Sequence, residues 1–348
     1  KRPYLYCGGG IIAAGAEPEV VRFAELISAP IGLSMMGLGA VPDSHPLNLG
    51  MSGMHGRYAS TVAQSKADLI VAAGVRFSDR ATGSVAKYTR NCSVIHIDID
   101  HAELGKNVRP DLSLRGDVKA ILAALAAKLE PQPRPEWLAE VDALKSEVPP
   151  EPADVFSPRN IIRAVHANVP RDAVIATDVG QHQMWVAQHY PFELPRTLLT
   201  SGGLGAMGFG LGAAIGGCLA SGRKRTVHFT SDGSFGMNLN ELATAVSQNL
   251  PIVTVILNNS VLGMVRQWQS IFYEQRYSQT TLNRKTDFAK LAEAFGATGA
   301  RVRTLAELES ALRALPYSPM VLDCEIDPDT KVLPMIPPGG GVEDIRLN

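Results

Sequence analysis

Short apolar runs alternate with amphipathic stretches along most of this chain, which restricts it to parallel sheets covered by helices. In the first third the order is YLYC (4–7), a helical pattern PEVVRFAELISA (18–29), ADLIVAAG (67–74), SVIHIDID (93–100), and a second helical pattern VKAILAALAAKL (118–129). The alternation resumes later with RNIIRAVHANV (159–169) as a helix, AVIATD (173–178) as a strand and MWVAQHY (184–190) as a helix. After a glycine turn with its own helix come TVHFTSD (226–232), LNELATAVSQ (239–248) and IVTVILNN (252–259). The expected fold class is α/β, with two tandem three-layer domains, each built around a parallel sheet.

The break between them falls where proline and acid dominate, in EPQPRPEWLAEVDALKSEVPPEPADVF (130–156). Expected boundaries are therefore 1–128 for the first domain, 129–156 for a linker and 157–348 for the second domain. Ser157-Pro158 reads as a helix start, with Ser as cap and Pro in the first turn. Lys+Arg 33 against Asp+Glu 34 leaves a formal net charge of -1, too little basic field to hold a nucleic acid or an anionic membrane. Cys7, Cys92, Cys218 and Cys324 form no C-x-x-C pair, which speaks against zinc or a disulfide scaffold and for a reducing compartment, cytoplasmic or, in a plant, the plastid stroma. Since KRPYLYCGGG opens as a strand rather than a signal peptide, Lys1 reads as an internal boundary. The uncharged stretch from Thr197 to Gly222 is interrupted by glycine too often for a membrane span and reads as a glycine turn opening a closely packed helix.

Chemistry is expected where strands end, because in such sheets ligands bind beyond the carboxyl ends. Asp232-Gly233-Ser234 closes one strand and Asn258-Asn259 the next. Leu239, Leu242, Ala243 and Val246 mark a helix face between them. A right-handed crossover makes the two strands parallel neighbours. The Asp232 carboxylate and the Asn259 amide oxygen then suit one hard cation such as Mg²⁺. Gly233 and the helix N-terminus beyond it suit phosphate. Either dipeptide alone is ordinary turn chemistry; the pair on a β-α-β unit is specific. A rival stands beside it: Gly203-Leu-Gly205-Ala-Met-Gly208 spells G-x-G-x-x-G, and with Asp232 closing the next strand it fits a nicotinamide-dependent oxidoreductase. Against the rival, RTLLTSGG is short and polar for a central strand, and Asn258-Asn259 stays unexplained.

The stretch from Ser231 to Asn259 resembles the thiamine-diphosphate enzyme family, whose signature is Gly-Asp-Gly followed after some two dozen residues by Asn-Asn; here Ser231 stands where the first glycine is usual. SGGLGAMGFG, DVGQHQMW, NNSVLGMVRQWQSIFYEQRYS, GMSGMHGRYAS and GVRFSDRATG narrow the resemblance to the acetohydroxyacid (acetolactate) synthase catalytic subunits, over essentially the whole chain, from the middle of that family's subunit to near its end. The resemblance implies Asp232, Asn259 and the carbonyl of Val261 as Mg²⁺ ligands. Val179, Gly180, Gln181, His182, Gly233, Ser234, Leu262, Gly263 and Met264 would surround thiamine diphosphate, with Met207 wedging it into a bent shape. Arg80 and Trp268 match the substrate-recognition pair, although Ser78 stands where the family shows aspartate.

For the first domain the resemblance implies FAD, held by Gly9, Met54, His55, Gly74, Arg76, Asp98, Ile99 and Asp117 in a structural role. The implied reaction is decarboxylation of pyruvate and carboligation to a second 2-oxo acid, giving 2-acetolactate or 2-aceto-2-hydroxybutyrate in branched-chain amino-acid synthesis. Partners would be 2-oxo acids, further copies of the chain in a homodimer or homotetramer, and a regulatory small subunit. The family's catalytic glutamate lies on a domain preceding Lys1, so residues 1–348 alone are expected to turn over little or nothing. A cofactor-binding module that needs a separate pyrimidine-binding chain is the remaining alternative.

Overall fold

Fully buried apolar runs such as Pro3–Cys7 are what a parallel sheet covered on both faces requires, and the chain builds two of these sheets. The computed structural model describes residues 1–348. They divide into one unit comprising Lys1–Pro150, Pro191–Arg196 and Leu333–Asn348, and a second comprising Glu151–Tyr190 and Thr197–Val332.

In the first unit β1 (Pro3–Cys7), β2 (Ile31–Leu33), β3 (Asn48–Met51), β4 (Leu69–Ala73), β5 (Ser93–Asp98) and β6 (Leu112–Arg115) form a sheet in the order β3-β2-β1-β4-β5-β6. Every pairing is parallel, so all six carboxyl ends share one edge. The chain runs outward from β1 to β3 and then returns to place β4 on the other side of β1, which opens a crevice between their tips. At that crevice a Cβ on Gly10 would stand 2.7 Å from Gly74 Cα, so glycine is what lets the helix Gly9–Ala14 press against the turn after β4.

Segment 129–156 is more than a linker. Its helix Pro135–Glu147 buries Trp137, Val141 and Leu144 in the core formed by Tyr4, Tyr6, Ile70 and Val62, and Trp137 Nε1 donates to the Pro3 carbonyl at 3.0 Å. The spacing i, i+4, i+7 is an apolar stripe, hidden in the sequence by flanking proline and acid. The tail Leu333–Asn348 likewise falls in the first unit rather than in a 157–348 block. Ile336 N donates to the Met54 carbonyl at 2.9 Å, and Lys87 pairs with Glu343 at 2.9 Å and Asp344 at 2.7 Å.

In the second unit β7 (Val174–Thr177), β8 (Leu198–Thr200), β9 (Thr226–Thr230), β10 (Ile252–Asn258), β11 (Thr298–Val302) and β12 (Met320–Glu325) form an all-parallel sheet in the order β11-β12-β10-β9-β7-β8. Ser157 caps the helix Pro158–Ala167 as expected, accepting from Asn160 N at 3.2 Å. The polar run RTLLTSGG contains β8, an edge strand, where polarity is tolerated. Between β9 and β10 the expected single helix is three pieces, Asp232–Asn238, a 3₁₀ turn Leu239–Glu241, and Leu242–Ser247. The break rotates the face, so Leu242 and Ala245 are buried and Ala243 is exposed. No helix is long and apolar enough to cross a membrane.

Candidate functional site

From β7 the chain passes to β8 on one side and then returns to β9 on the other, so the order reverses between β7 and β9. A cleft lies at the segments after β7, β8, β9 and β10, lined by Val179, Gly180, Gln181, His182, Met207, Ser231, Asn259, Val261, Leu262, Gly263 and Met264. Two helices, Gln181–His189 and Gly263–Phe272, begin on this lining. Their N-caps, Gly180 and Leu262, make no side-chain capping bond. Uncapped first-turn N–H groups and the positive ends of two helix dipoles make this an anion seat.

β9 and β10 are paired with Thr230 opposite Ile256, so the segments carrying Asp232 and Asn259 leave neighbouring strand tips. Asp232 is 3% exposed, its Oδ1 has no hydrogen-bond partner, and burial pushes its carboxyl up to about 6. A buried carboxylate short of partners is stabilised by a cation. Asn259 donates Nδ2 to Gln181 Oε1 at 3.1 Å, and its Oδ1 accepts from Val261 N at 3.3 Å. No three His, Cys, Asp or Glu side chains gather as a metal cluster. The donor set is one carboxylate, one amide oxygen and a carbonyl, which fits a hard cation that takes further oxygens from a phosphate ligand. Asn258 has a different job: Nδ2 donates to Asp323 Oδ1 at 2.8 Å and Oδ1 accepts from Ser260 N at 3.2 Å, which pins the turn.

Ser231 has an extended backbone (φ −119, ψ 165) that any residue adopts, and its hydroxyl accepts from Ser234 N at 3.3 Å. Glycine is therefore not needed there. This cap takes an N–H that the sequence left free for phosphate beyond Gly233, and the uncapped helices at Gly180 and Leu262 offer theirs instead. Ser234 Oγ donates to the Val179 carbonyl at 3.1 Å, tying the β9 tip to the β7 tip. Gly233 lies where a Cβ would sit 3.3 Å from Leu262 Cδ2 and 3.8 Å from Met207 Cε, so Met207 and Leu262 converge over it. His182 is 1% exposed, its Nε2 has no partner, and burial pushes it down to about 4, so it is neutral at pH 7. Trp268 is half-buried on Gly263–Phe272, edge-on to Phe272 at 5.4 Å. Trp185, Leu257 and Val265 also line the cleft and were not singled out by the sequence.

Asp178 was also missed, although it closes AVIATD as Asp232 closes TVHFTSD. Its Oδ2 accepts from Thr230 Oγ1 at 2.6 Å and from His228 Nε2 at 3.0 Å, and its Oδ1 accepts from Gly210 N at 2.8 Å. Burial raises its pKa, but the hydrogen bond and charge of His228, with those from Thr230 and Gly210, outweigh that and hold it well below the usual carboxylate range. The bond to Gly210 bears on the nicotinamide rival. In a dinucleotide fingerprint the helix after the glycines receives the pyrophosphate; here an early N–H of that helix, Phe209–Ala220, is held by the protein's own carboxylate. A Cβ on Gly210 would stand 2.7 Å from Asp178 N, so the glycine serves this close packing.

In the first unit the residues expected around a flavin follow the ends of five of the six strands. Met54 and His55 follow β3, Gly9 follows β1, Gly74 and Arg76 follow β4, Asp98 and Ile99 close β5, and Asp117 follows β6. Across the sheet they span five strand spacings, roughly 24 Å. Asp117 Oδ1 caps the helix Val118–Ala126 by accepting from Ala120 N at 3.0 Å, Asp98 Oδ1 accepts from Asp100 N at 2.9 Å, and Ile99 is 70% exposed. Arg80 is exposed, its Nη1 4.0 Å from Met54 Sδ, and its carbonyl accepts from Met54 N at 2.8 Å. His55 is pushed down to about 4 by burial and then by the Arg80 charge.

Residues 178–324 match the family described as thiamine pyrophosphate enzyme, C-terminal TPP binding domain, and residues 1–125 match the thiamine pyrophosphate enzyme central domain. The chain is 44% identical over 344 residues to the acetolactate synthase isozyme 1 large subunit of Escherichia coli (strain K12), covering 97% of this chain and 61% of that one. It is 41% identical over 360 residues to the probable acetolactate synthase large subunit of Methanocaldococcus jannaschii, covering 99% and 61%. With the acetolactate synthase of Mycobacterium leprae (strain TN) it shares 40% over 363 residues, covering 99% and 58%. The chain thus spans about three fifths of the length of these curated relatives.

Proposed function

From the premise that this chain belongs to the thiamine pyrophosphate enzyme family, carrying its central and C-terminal TPP binding domains, we propose that the full-length protein is an acetolactate synthase. It decarboxylates pyruvate and joins the product to a second 2-oxo acid. The observation that carries this reading is the buried, partnerless Asp232 oxygen at the β9 tip, with Asn259 at the neighbouring β10 tip and two uncapped helix N-termini at the cleft.

Asp232, Asn259 and the Val261 carbonyl would hold Mg²⁺, while first-turn N–H groups of the helices after Gly180 and Leu262 take the diphosphate. Thiamine diphosphate bound there supplies the electron sink that loss of CO₂ from a 2-oxo acid requires. Met207, with Leu262 and Met264, gives the cleft an apolar wall against which a cofactor can be bent, so that its reacting groups are held rather than left to diffuse. Val179, Gln181, His182, Gly233, Ser234 and Gly263 complete the surround. Neutral His182, with an unpaired Nε2, can bond a phosphate or ring nitrogen without adding charge. Arg80 would clamp the 2-oxo acid carboxylate through two parallel hydrogen bonds, and Trp268 would shape the space for the second substrate's alkyl group.

The row Met54, His55, Gly9, Gly74, Arg76, Asp98, Ile99 and Asp117 would hold FAD, whose role is structural because carboligation involves no net redox change. A regulatory small subunit, consistent with the name large subunit borne by relatives, and a homodimer or homotetramer complete the proposal. The test is acetolactate formation from pyruvate by the full-length protein. Activity requiring both thiamine diphosphate and Mg²⁺, and reduced by more than about a hundredfold in Asp232→Ala, is expected, since even outer-shell losses at metal sites cost 10–100-fold. Pyruvate-dependent NADH oxidation without acetolactate would return the nicotinamide alternative.

A further inference from the structure

Behind the candidate metal ligands three buried carboxamides stand in a line, Gln267, Gln181 and Asn259, and the hydrogen bonds among them have a direction. Val332 donates its backbone N–H to Gln267 Oε1 at 2.8 Å, and its carbonyl accepts from Gln267 Nε2 at 3.2 Å. A backbone N–H can only donate and a carbonyl only accept, so these two bonds decide which end of the Gln267 amide is oxygen. Gln267 Oε1 also accepts from Gln181 Nε2 at 3.0 Å, and that nitrogen donates again to the Thr330 carbonyl at 2.9 Å. With its nitrogen committed twice, Gln181 meets Asn259 through Oε1, which accepts from Asn259 Nδ2 at 3.1 Å. The Asn259 oxygen is thereby turned to the side of the Val261 N–H, at 3.3 Å.

We propose that Gln267 is a positioning residue for the metal: through Gln181 it fixes the Asn259 carboxamide with its oxygen, not its NH₂, available to the cation. This rests on the reading of Asp232 and Asn259 as Mg²⁺ ligands. The polarity originates in the backbone of Thr330 and Val332, far along the chain, and is carried inward by two side chains. A reversed Asn259 amide would aim N–H dipoles at a divalent cation. Because the line is buried, water is poorly placed to restore the order once a member is lost.

The experiment uses the full-length protein and reads Mg²⁺ half-saturation at saturating thiamine diphosphate, from the cofactor's circular dichroism rather than from turnover. Gln267→Met keeps the volume and removes both polar ends. It is expected to weaken Mg²⁺ binding about tenfold or more, in the range typical of outer-shell partners. Gln267→Glu, its carboxyl kept protonated by burial, retains an acceptor for Gln181 and the Val332 N–H and a donor for the Val332 carbonyl, and is expected to stay within about threefold of wild type, since the Gln181 amide remains oriented. Wild-type affinity in Gln267→Met, or equal weakening in both variants, overturns the relay. If Gln267→Met does not fold, Gln267→Glu decides alone: affinity within about threefold supports the relay and a tenfold loss overturns it. Absence of any Mg²⁺ dependence in the wild type overturns the metal site itself and the relay with it, an outcome distinct from the others.

Discussion

Asp232 and Asn259 were legible as residues because each ends an apolar strand, and strand ends are where ligands bind in parallel sheets. Asp178, ending β7 in the same way, was overlooked: its role is to hold Gly210, His228 and Thr230 inside the fold, and a buried network has no sequence pattern of its own. Gln267 was equally invisible, since its partner Val332 lies 65 residues further on. Two of the four buried histidines yield a pH prediction. His55 and His182 are each pushed down from 6.5 to about 4, chiefly by burial. At these two groups the unfolded chain binds more protons than the folded one between those values, so their contribution to stability falls as pH drops from about 6.5 toward 4 and is regained as pH rises to 7, while the raised Asp232 carboxyl opposes it in part. Each group contributes on the order of 3 kcal/mol across that window. Urea unfolding at pH 7 and at pH 4.5 should show the loss, and His182→Gln should shrink it; an unchanged pH dependence in that variant would contradict the assignment.

At the scale of elements, most strands and amphipathic helices were readable because alternating apolar runs have few other solutions. Two features were not. The helix between β9 and β10 breaks at the 3₁₀ turn Leu239–Glu241, so a face read as one continuous stripe is rotated and Ala243 lies outside. Helix Pro135–Glu147 reads as part of a linker in the sequence because the flanking proline and acid obscure its Trp137, Val141, Leu144 stripe. That stripe can be tested directly. Trp137→Ala removes a buried indole and its bond to Pro3, and should destabilise the first unit by about 3–5 kcal/mol, read from denaturant unfolding. A change under about 0.5 kcal/mol, the level of a surface substitution, would show that the helix is a spacer after all.

Taken as a whole, the molecule repeats one architectural solution: two all-parallel six-stranded sheets, each with a crevice where strand order reverses. In the first, the row of residues from His55 to Asp117 leads to the expectation that the full-length protein purifies yellow, with FAD released on denaturation at about one per chain; colourless protein that takes up no FAD would remove the flavin from the proposal. In the second, everything rests on the paired tips of β9 and β10. The most direct measurement is a calorimetric titration of thiamine diphosphate into the full-length protein, with and without Mg²⁺, in wild type and Asp232→Ala. Saturable binding that appears only with Mg²⁺ and is lost in Asp232→Ala is the predicted result. Binding of equal affinity in the absence of metal, or undiminished in Asp232→Ala, would contradict it.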